Sequence, residues 1–205
     1  GVSMGSTLHH MVSALRKAPA ERVTYVPLVG GMGRLRMELH ANSLAEKMSR
    51  LGDGTFIPLH APARVSSTLV RDELMKEVSV QDAVKLMNRI DVALVGIGYP
   101  NEHSAIKATG YYKENEIESL ISRKAAGELC MQFYDMEGRT EPYVSDNAVI
   151  GMGIHRLRKV PCSVGIAGGR EKLAAIQGAI NGKYINVLIT DTECARALLS
   201  DEEEE

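Results

Sequence analysis

Glycine-rich turns next to cations give this sequence the composition of an anion-binding site. The apolar run at residues 26–29 ends in Gly30-Gly31-Met32-Gly33, whose three glycines permit positive φ angles and let backbone N–H groups approach a ligand. Further on, Gly168-Gly169 precedes Lys172, whose ammonium group falls in the first turn of a predicted helix that itself favours an anion. Two alternatives stay open: the glycines form only a tight turn, and Lys172 is a solvated surface lysine.

Two charged side chains at predicted strand ends extend this candidate site. Arg64 lies in a loop directly after a strand, where its guanidinium could hold a phosphate or carboxylate through two hydrogen bonds. Glu128 begins an apolar strand, so its carboxylate is half-desolvated unless a group such as a polyol hydroxyl hydrogen-bonds it. Asp146 is a weaker candidate of the same kind. Either acid is equally suited to a turn or a helix cap.

Two polar residues follow the first glycine run. His40 is predicted one or two turns into the next helix, on its polar side, where it either reaches a ligand hydroxyl or lies at the surface. Arg34 comes immediately after the glycines and either contacts the ligand or faces water. Both residues are therefore secondary candidates.

Strands and helices that alternate along the chain must position these residues. Apolar patterning predicts strands at residues 23–29, 55–59, 92–95, 129–134, 162–167 and 186–190. Helical periodicity and caps predict helices at residues 8–18, 37–51, 68–75, 79–90, 115–124, 171–180 and 192–199, with Ser67, Ser79 and Asp191 among the capping residues.

This alternation predicts the α/β class, with a doubly wound, mainly parallel, Rossmann-like sheet. Parallel neighbours need crossover helices, and these helices cover both faces of the sheet. Ligands of such sheets bind beyond the carboxyl ends of the strands, so the glycine turns at Gly30, Gly96 and Gly168 are expected to converge on one crevice. The length of 205 residues suits a single domain, with a lead helix within residues 1–20 and an acidic tail at 201–205.

Several classes of site are disfavoured. Three dispersed cysteines and six histidines show no metal-ligand spacing, so neither a metal nor another cofactor is expected. The run Gly31-Met32-Gly33-Arg34-Leu35-Arg36 lacks the third glycine of a dinucleotide fingerprint, and the P-loop lysine and serine are absent too. A net charge of −2 and the acidic run at 201–205 disfavour a nucleic-acid surface. Neither a membrane span nor a signal peptide is indicated, so we expect a cytoplasmic protein.

An ordered set of motifs resembles the effector domain of SorC/DeoR-type sugar-binding transcriptional regulators. Its first members are Val26-Pro27-Leu28-Val29-Gly30-Gly31-Met32-Gly33, Leu59-His60-Ala61-Pro62-Ala63 and Val92-Ala93-Leu94-Val95-Gly96-Ile97-Gly98. Its later members are Ala125-Ala126-Gly127-Glu128-Leu129-Cys130, Ile166-Ala167-Gly168-Gly169 with Lys172, and Asn186-Val187-Leu188-Ile189-Thr190-Asp191. The resemblance covers roughly residues 20 to 200.

The resemblance implies a domain similar to sugar-phosphate isomerases and glucosamine-phosphate deaminases that binds a phosphorylated sugar. It further implies a homo-oligomer, a dimer or a tetramer, and DNA binding through an attached helix-turn-helix domain that this chain lacks. The pocket is then expected at Gly31 to Gly33, His40, Ala61 to Arg64, Gly98, Glu128 and Lys172. From the residues themselves we add Arg34, Asp146 and Gly169.

Two functions compete at this stage. A non-catalytic sensor is preferred, in which a phosphorylated sugar shifts the population of subunit arrangements. The alternative is an isomerase-like or deaminase-like enzyme, for which Glu102-His103 offers a group that moves a proton. The turn after Gly98 departs from the deaminase pattern of glycine followed by histidine, which favours the sensor. A scaffold with a vestigial site is the third possibility.

Overall fold

The computed structural model describes residues 1–18, 22–33, 35–101 and 105–200. Three features named in the sequence analysis lie outside the described residues: Arg34, the Glu102-His103 pair and the acidic run at 201–205.

Short strands alternate with helices along the chain. The strands are β1 (Thr24–Tyr25), β2 (Thr55–Phe56), β3 (Val92–Gly96), β4 (Gly127–Leu129), β5 (Gln132–Tyr134), β6 (Cys162–Ile166) and β7 (Val187–Ile189). The helices are α1 (Ser6–Ala14), α2 (Ala41–Leu51), α3 (Thr68–Leu74), α4 (Val78–Met87), α5 (Ala105–Ala108), α6 (Glu114–Ser122), α7 (Leu173–Asn181) and α8 (Thr192–Ser200). Among the helices that the structure describes, none has the length and apolarity needed to cross a bilayer.

A parallel sheet organises the molecule. Strands β3, β6 and β7 pair in that order, and β1 pairs with β2, all in parallel. The first residues join the two groups, because Val2 forms parallel bridges to both Pro27 and Leu94. The prediction of an α/β fold with a mainly parallel sheet is confirmed. The strand-like start of the chain was not predicted, since the sequence analysis assigned only a helix to this region.

Helices cover both faces of the sheet. On one face, α1 and α2 contribute Leu8, Val12, Leu44 and Ala45 to a cluster with strand residues such as Val164. The cluster on the other face is formed with the apolar side chains of α4, α7 and α8, among them Val80, Ala83, Met87, Ile176, Ala179 and Cys194. Ala93 and Val95 pack on this second face, whereas the intervening Leu94 packs on the first. This alternation follows from the two-residue period of a strand.

The helix after the first glycine run begins later than predicted. Residues Met37–Leu39 form a single 3₁₀ turn, and α2 starts only at Ala41. The start of α2 is fixed by Asn42, whose side-chain amide exchanges two hydrogen bonds with the backbone of Leu59, at 3.1 and 3.0 Å. The first glycine run is thus separated from the helix by a loop, and the amino end of α2 does not continue it directly.

The predicted strand at 129–134 is wrong, because the chain folds back on itself there. Strands β4 and β5 pair in antiparallel fashion, with Glu128 opposite Phe133. Cys130 and Met131 form the turn with φ angles of 51° and 62° and are both buried. A two-residue hairpin turn of type I′ has positive φ at both positions, and the usual Asn-Gly signal is absent from this turn. Because the turn residues are apolar, the sequence pattern predicted one continuous strand instead of a hairpin.

The predicted caps have mixed outcomes. Ser67 caps α3, since its hydroxyl accepts the backbone N–H of Val70 at 3.3 Å. Asp191 caps α8 by accepting the N–H of Cys194 at 2.8 Å. The Ser79 cap is wrong, because α4 begins at Val78 and Ser79 lies within the helix.

A segment for which no strand was predicted packs beside the first glycine turn and forms backbone hydrogen bonds there. Residues 148–152 run antiparallel between the chain at Val29 and the chain at Arg64. The N–H of Gly30 donates to Ile150 O at 2.9 Å, and the N–H of Ile150 donates to Ala63 O at 2.8 Å. The glycine turn is therefore held on both sides by backbone hydrogen bonds.

Candidate functional site

The first glycine run is largely occupied by contacts within the protein. The N–H of Gly31 donates to Ala61 O at 2.8 Å, and its carbonyl accepts both Ala63 N–H at 2.7 Å and the Tyr111 hydroxyl at 2.9 Å. Met32 is 1% exposed and packs in the core. At Gly33, by contrast, an added Cβ would meet no atom of the other described residues within 4 Å, its chain neighbours aside. The tight-turn interpretation therefore describes Gly31, whereas Gly33 borders open space.

Arg64 is placed next to Ala61 and the glycine run, but its guanidinium already has partners. Nη1 donates to Tyr111 O at 2.6 Å, and Nη2 pairs with the Glu116 carboxylate at 2.9 Å. The guanidinium carbon also lies 4.2 Å from the centre of the Tyr112 ring. Burial raises the pKa of Glu116, but the hydrogen bonds from Lys113 N–H and Arg64 outweigh it and leave that pKa below its usual range. The guanidinium of Arg64 is thus paired with the negatively charged carboxylate of Glu116.

Glu128 and Gly98 form the most enclosed part of the candidate site. Their backbones exchange two hydrogen bonds of 3.1 and 2.8 Å. A side chain at position 98 would collide with the Glu128 carboxylate, so glycine is required for this close approach. The carboxylate also accepts Met131 N–H at 2.8 Å. Because residues 130 and 131 adopt left-handed backbone angles, the Met131 amide points back toward Glu128. The hairpin therefore supplies a hydrogen bond to the Glu128 carboxylate.

The Glu128 carboxyl group is 5% exposed and titrates near neutrality. Burial raises its pKa to about 7, against the opposing effects of the Met131 hydrogen bond and the positive charge of Lys172. A carboxyl group with this pKa is present in both forms at neutral pH. It can therefore accept a hydrogen bond from a ligand hydroxyl or donate one to it.

Lys172 is close enough to Glu128 for its charge to affect that carboxyl group, and its role as a phosphate contact stays a prediction. It ends the 3₁₀ turn Arg170–Lys172 and immediately precedes α7. The residue is half-buried, and its charge acts on Glu128. Among the residues that the structure describes, it has no ion-pair partner within 4 Å. A cation next to the amino end of α7 thus acts electrostatically on a buried carboxyl group.

The glycine turn at Gly168-Gly169 was expected to offer a free backbone amide to an anion, and the structure differs from this expectation at Gly169. Its N–H donates to the Asp191 carboxylate at 2.7 Å, so this amide is not free for a ligand in the structure. The hydrogen bonds from Cys194 and Gly169 hold the pKa of Asp191 below its usual range. An acid of the chain therefore occupies the anion position that the sequence analysis assigned to this turn, because the capping residue of α8 lies beside it.

Two further candidates have structural partners. His40 precedes α2 instead of lying inside the helix, and its Nε2 is 3.0 Å from Leu35 O. Asp146 pairs with Arg123 at 3.0 Å, and the same guanidinium donates to Pro142 O at 2.7 Å. The ion pair between Asp146 and Arg123 connects the end of α6 to the 3₁₀ turn Glu141–Asp146. This agrees with the interpretation of Asp146 as a turn acid. A ligand role for either residue stays a prediction.

Tyr112, which the sequence analysis missed, connects the two halves of the candidate site. Its ring lies against Arg64, and its hydroxyl is 3.5 Å from Met131 O, in the turn that hydrogen-bonds Glu128. We therefore define an arginine half, with Gly31, Ala61 and Arg64, and a lysine half, with Gly98, Glu128 and Lys172. Two adjacent tyrosines in a segment interpreted as a loop were the available signal, since tyrosine couples an apolar ring to a polar tip.

A cavity of about 550 Å³ lies elsewhere, against the amino ends of β1 and β3 near Val23, Arg89 and Val92. Parallel α/β sheets bind ligands beyond the carboxyl ends of their strands, so this cavity is not the candidate site. Within the described ranges, no group of three or more His, Cys, Asp or Glu residues is arranged to hold a metal ion.

Comparison with known proteins gives the family. Residues 1–200 match the profile of the family described as "Putative sugar-binding domain". The sorbitol operon regulator of Klebsiella pneumoniae is 31% identical over 201 residues, which are 97% of this chain and 64% of the regulator. The deoxyribonucleoside regulator of Bacillus subtilis is 28% identical over 206 residues, with 98% of this chain and 64% of the regulator covered. The chain thus spans about two thirds of the length of these curated relatives.

Solved structures agree with this match. The full-length sorbitol operon regulator SorC from Klebsiella pneumoniae aligns with a TM-score of 0.87 at 32% identity, covering 97% of this chain and 66% of that chain. The probable sor operon regulator from Shigella flexneri aligns with a TM-score of 0.88 at 31% identity, covering 97% of this chain and 79% of that chain. These relatives are named as regulators, which agrees with the sensor and not with the isomerase or deaminase alternative. The resemblance seen in the sequence is confirmed: the chain belongs to the sugar-binding domain family that it shares with SorC-type regulators.

Proposed function

We propose that this chain is a single effector-binding domain whose ligand is a phosphorylated sugar. The observation that carries the proposal is the lysine half of the site. There the positive charge of Lys172, which directly precedes α7, acts on the buried Glu128 carboxyl group. The cation and the helix end suit a phosphate dianion, and the carboxyl group suits the hydroxyls of the sugar.

The arginine half supplies the second set of contacts. Arg64 contributes its guanidinium, and Gly33 belongs to the glycine run in which Gly31 bridges to Pro62, two residues before Arg64. The other predicted contacts are Met32, Arg34, His40, Asp146 and Gly169, which are secondary. The identity of the sugar depends on the hydroxyl pattern that Glu128 and its neighbours accept.

The names of the relatives support a regulatory role. They are named a sorbitol operon regulator and a deoxyribonucleoside regulator, which favours a sugar-derived effector as the ligand class. We propose that effector binding in this domain changes DNA binding by a helix-turn-helix domain outside this chain, within a cytoplasmic homo-oligomer. The effector acts only through different affinities for the alternative subunit arrangements.

A panel experiment tests the proposal. The domain is incubated with hexose 6-phosphates, pentose 5-phosphates, the same sugars without phosphate, and inorganic phosphate, while thermal unfolding and product formation are monitored. We expect a saturable rise of the unfolding temperature with at least one phosphorylated sugar, a smaller rise with its dephosphorylated form, and unchanged ligand after incubation. Turnover of a sugar phosphate would establish the enzyme instead. Absence of binding across the panel at millimolar concentration would indicate a vestigial site.

A further inference from the structure

Helix α7 lies directly against the β4–β5 hairpin, and two glycines allow this close approach. A Cβ atom added to Gly178 would lie 2.5 Å from Asp135 O and 3.0 Å from the Tyr134 ring. A Cβ atom added to Gly127 would lie 2.5 Å from the Tyr134 hydroxyl oxygen and 2.8 Å from the Ala175 Cβ atom. A side chain at either position would therefore force the helix and the hairpin apart.

The Tyr134 side chain joins the same two elements through a hydrogen bond. Tyr134 is fully buried on β5, and its hydroxyl donates to Ala175 O at 2.9 Å, in the first turn of α7. Tyr134 also lies opposite Gly127, the residue before Glu128, in the pairing of β4 with β5. Ala175 comes three residues after Lys172. One side chain thus connects the strand that carries Glu128 to the helix turn that follows Lys172.

The other end of α7 is anchored to the turn after β5. The Asn181 side chain donates to Met136 O at 2.8 Å, and the Tyr184 hydroxyl donates to Gly138 O at 2.6 Å. The helix is therefore held to the hairpin and to the turn after it from its first residues to its last. Because both ends are fixed, α7 cannot slide or tilt on the hairpin without breaking buried hydrogen bonds.

We infer that Tyr134 is a positioning residue of the effector site, because it fixes the distance between Lys172 and Glu128 by holding α7 on the hairpin. This inference rests on the proposed function, in which Lys172 takes the phosphate group and Glu128 takes a sugar hydroxyl. The fixed distance selects those sugar phosphates whose phosphate and hydroxyl groups have the matching separation. The site therefore discriminates between sugars that carry the phosphate at different positions.

Calorimetric titration with pairs of positional isomers tests the inference. The probes are glucose 6-phosphate and glucose 1-phosphate, fructose 6-phosphate and fructose 1-phosphate, and ribose 5-phosphate and ribose 1-phosphate. We expect the wild type to prefer one member of at least one pair by about tenfold or more. Tyr134→Phe removes the hydroxyl and keeps the ring, so α7 is held less firmly, and this preference should fall by about threefold or more.

Tyr184→Phe is the matched control. This buried tyrosine also donates its hydroxyl to a backbone carbonyl, but it lies at the end of α7 that is far from Lys172. Both substitutions remove a buried hydrogen bond and should lower stability. The preference of Tyr184→Phe between the isomers should nevertheless stay within about twofold of the wild type.

Gly178→Ala perturbs the same contact without removing the Tyr134 hydroxyl. Its methyl group would press on Asp135 O, so the helix must shift, and we expect the preference between isomers to fall as it does in Tyr134→Phe. Gly153→Ala is the control for this change, since a Cβ atom there meets no atom of the other described residues within 4 Å, its chain neighbours aside.

A merely structural role of Tyr134 would weaken binding of all the sugar phosphates by the same factor and leave the preference unchanged. That result would overturn the inference while the proposed function stands. A wild type that binds both isomers of every pair equally, or an equal fall of the preference in Tyr134→Phe and Tyr184→Phe, would overturn it in the same way. If the wild type binds no phosphorylated sugar, both the proposed function and the inference fall.

Discussion

Arg64 and Lys172 are the two described cations predicted for the anion site, and the structure gives them opposite surroundings. Arg64 is paired with Glu116, bonded to Tyr111 O and stacked on Tyr112. Lys172 is half-buried, and its charge acts on a buried carboxyl group whose pKa lies near 7. The arginine half is therefore electrically balanced in the structure, whereas the lysine half contains a cation without an ion-pair partner in the described ranges.

The difference suggests how the work of binding is divided. An anion at Lys172 displaces no described partner, so the full gain of a charge-assisted hydrogen bond is available there. An anion at Arg64 must first replace Glu116, so its gain is a difference between two pairings. Lys172 is then the main source of affinity for phosphate, whereas the guanidinium of Arg64 is already engaged within the protein. Substitutions at three positions test this difference between the two halves.

Glu128→Gln has the largest expected effect, on the pH dependence of stability. The Glu128 carboxyl loses its proton near pH 4.5 in the unfolded chain but only near pH 7 in the folded one. Between these values the folded state holds more protons, so the free energy of unfolding falls as pH rises, by about 3 kcal/mol in total. Below pH 4.5 and above about pH 7 this group adds no slope. Glutamine does not titrate, so the variant should lack this loss.

Urea unfolding of wild type and variant from pH 4 to pH 8 measures the difference. Glu118→Gln, at an exposed position on α6, serves as the control and should retain the wild-type slope. A Glu128→Gln protein that loses stability across this window as much as the wild type would show that burial does not control this carboxyl group.

Lys172→Met has the next largest effect, on affinity. Methionine keeps the length and apolar stem but removes the charge, so we expect phosphorylated sugars to bind about 30-fold more weakly, or about 2 kcal/mol. Binding of the same sugars without phosphate should change little. Lys85→Met removes an exposed cation from α4 and should stay within about twofold of the wild type. Equal losses for phosphorylated and dephosphorylated sugars would remove Lys172 from the phosphate position.

Tyr111→Phe has the smallest expected effect and probes the arginine half. It removes the hydroxyl donor of Gly31 O but leaves that carbonyl its hydrogen bond from Ala63, so we expect a loss of about 1 kcal/mol in the free energy of unfolding. Tyr99→Phe is a matched control, since the Tyr99 hydroxyl has no hydrogen bond to another described residue. Equal stabilities of the two variants would show that the Tyr111 hydroxyl does not hold the glycine turn.

The sequence predicted those features that depend on local patterns. The alternation of apolar strands and amphipathic helices was sufficient for the α/β fold, and the helix predicted from residue 171 is present as α7, which begins two residues later at Leu173. Ser67 and Asp191 were identified as caps because a cap is a contact over three residues. The family resemblance assigned Lys172 and Glu128 to one pocket, and the charge of Lys172 does act on the Glu128 carboxyl group.

Features that depend on distant partners were missed. Glu116 meets Arg64 across 52 positions of sequence, and the Tyr111 hydroxyl meets Gly31 across 80. The carboxylate of Asp191 reaches the Gly169 amide across 22 positions, so its second role was not visible next to its capping role. The hairpin turn at Cys130 and Met131 was missed for another reason, namely that apolar residues adopt backbone angles usually reserved for glycine or asparagine.

The most direct test of the account is a crystal structure of the domain with a bound phosphorylated sugar. We predict a phosphate oxygen within hydrogen-bonding distance of Lys172 Nζ and a sugar hydroxyl on the Glu128 carboxyl group, at the carboxyl edge of the sheet. A ligand in the cavity at the amino ends of β1 and β3, next to Arg89 and away from Lys172, would contradict it.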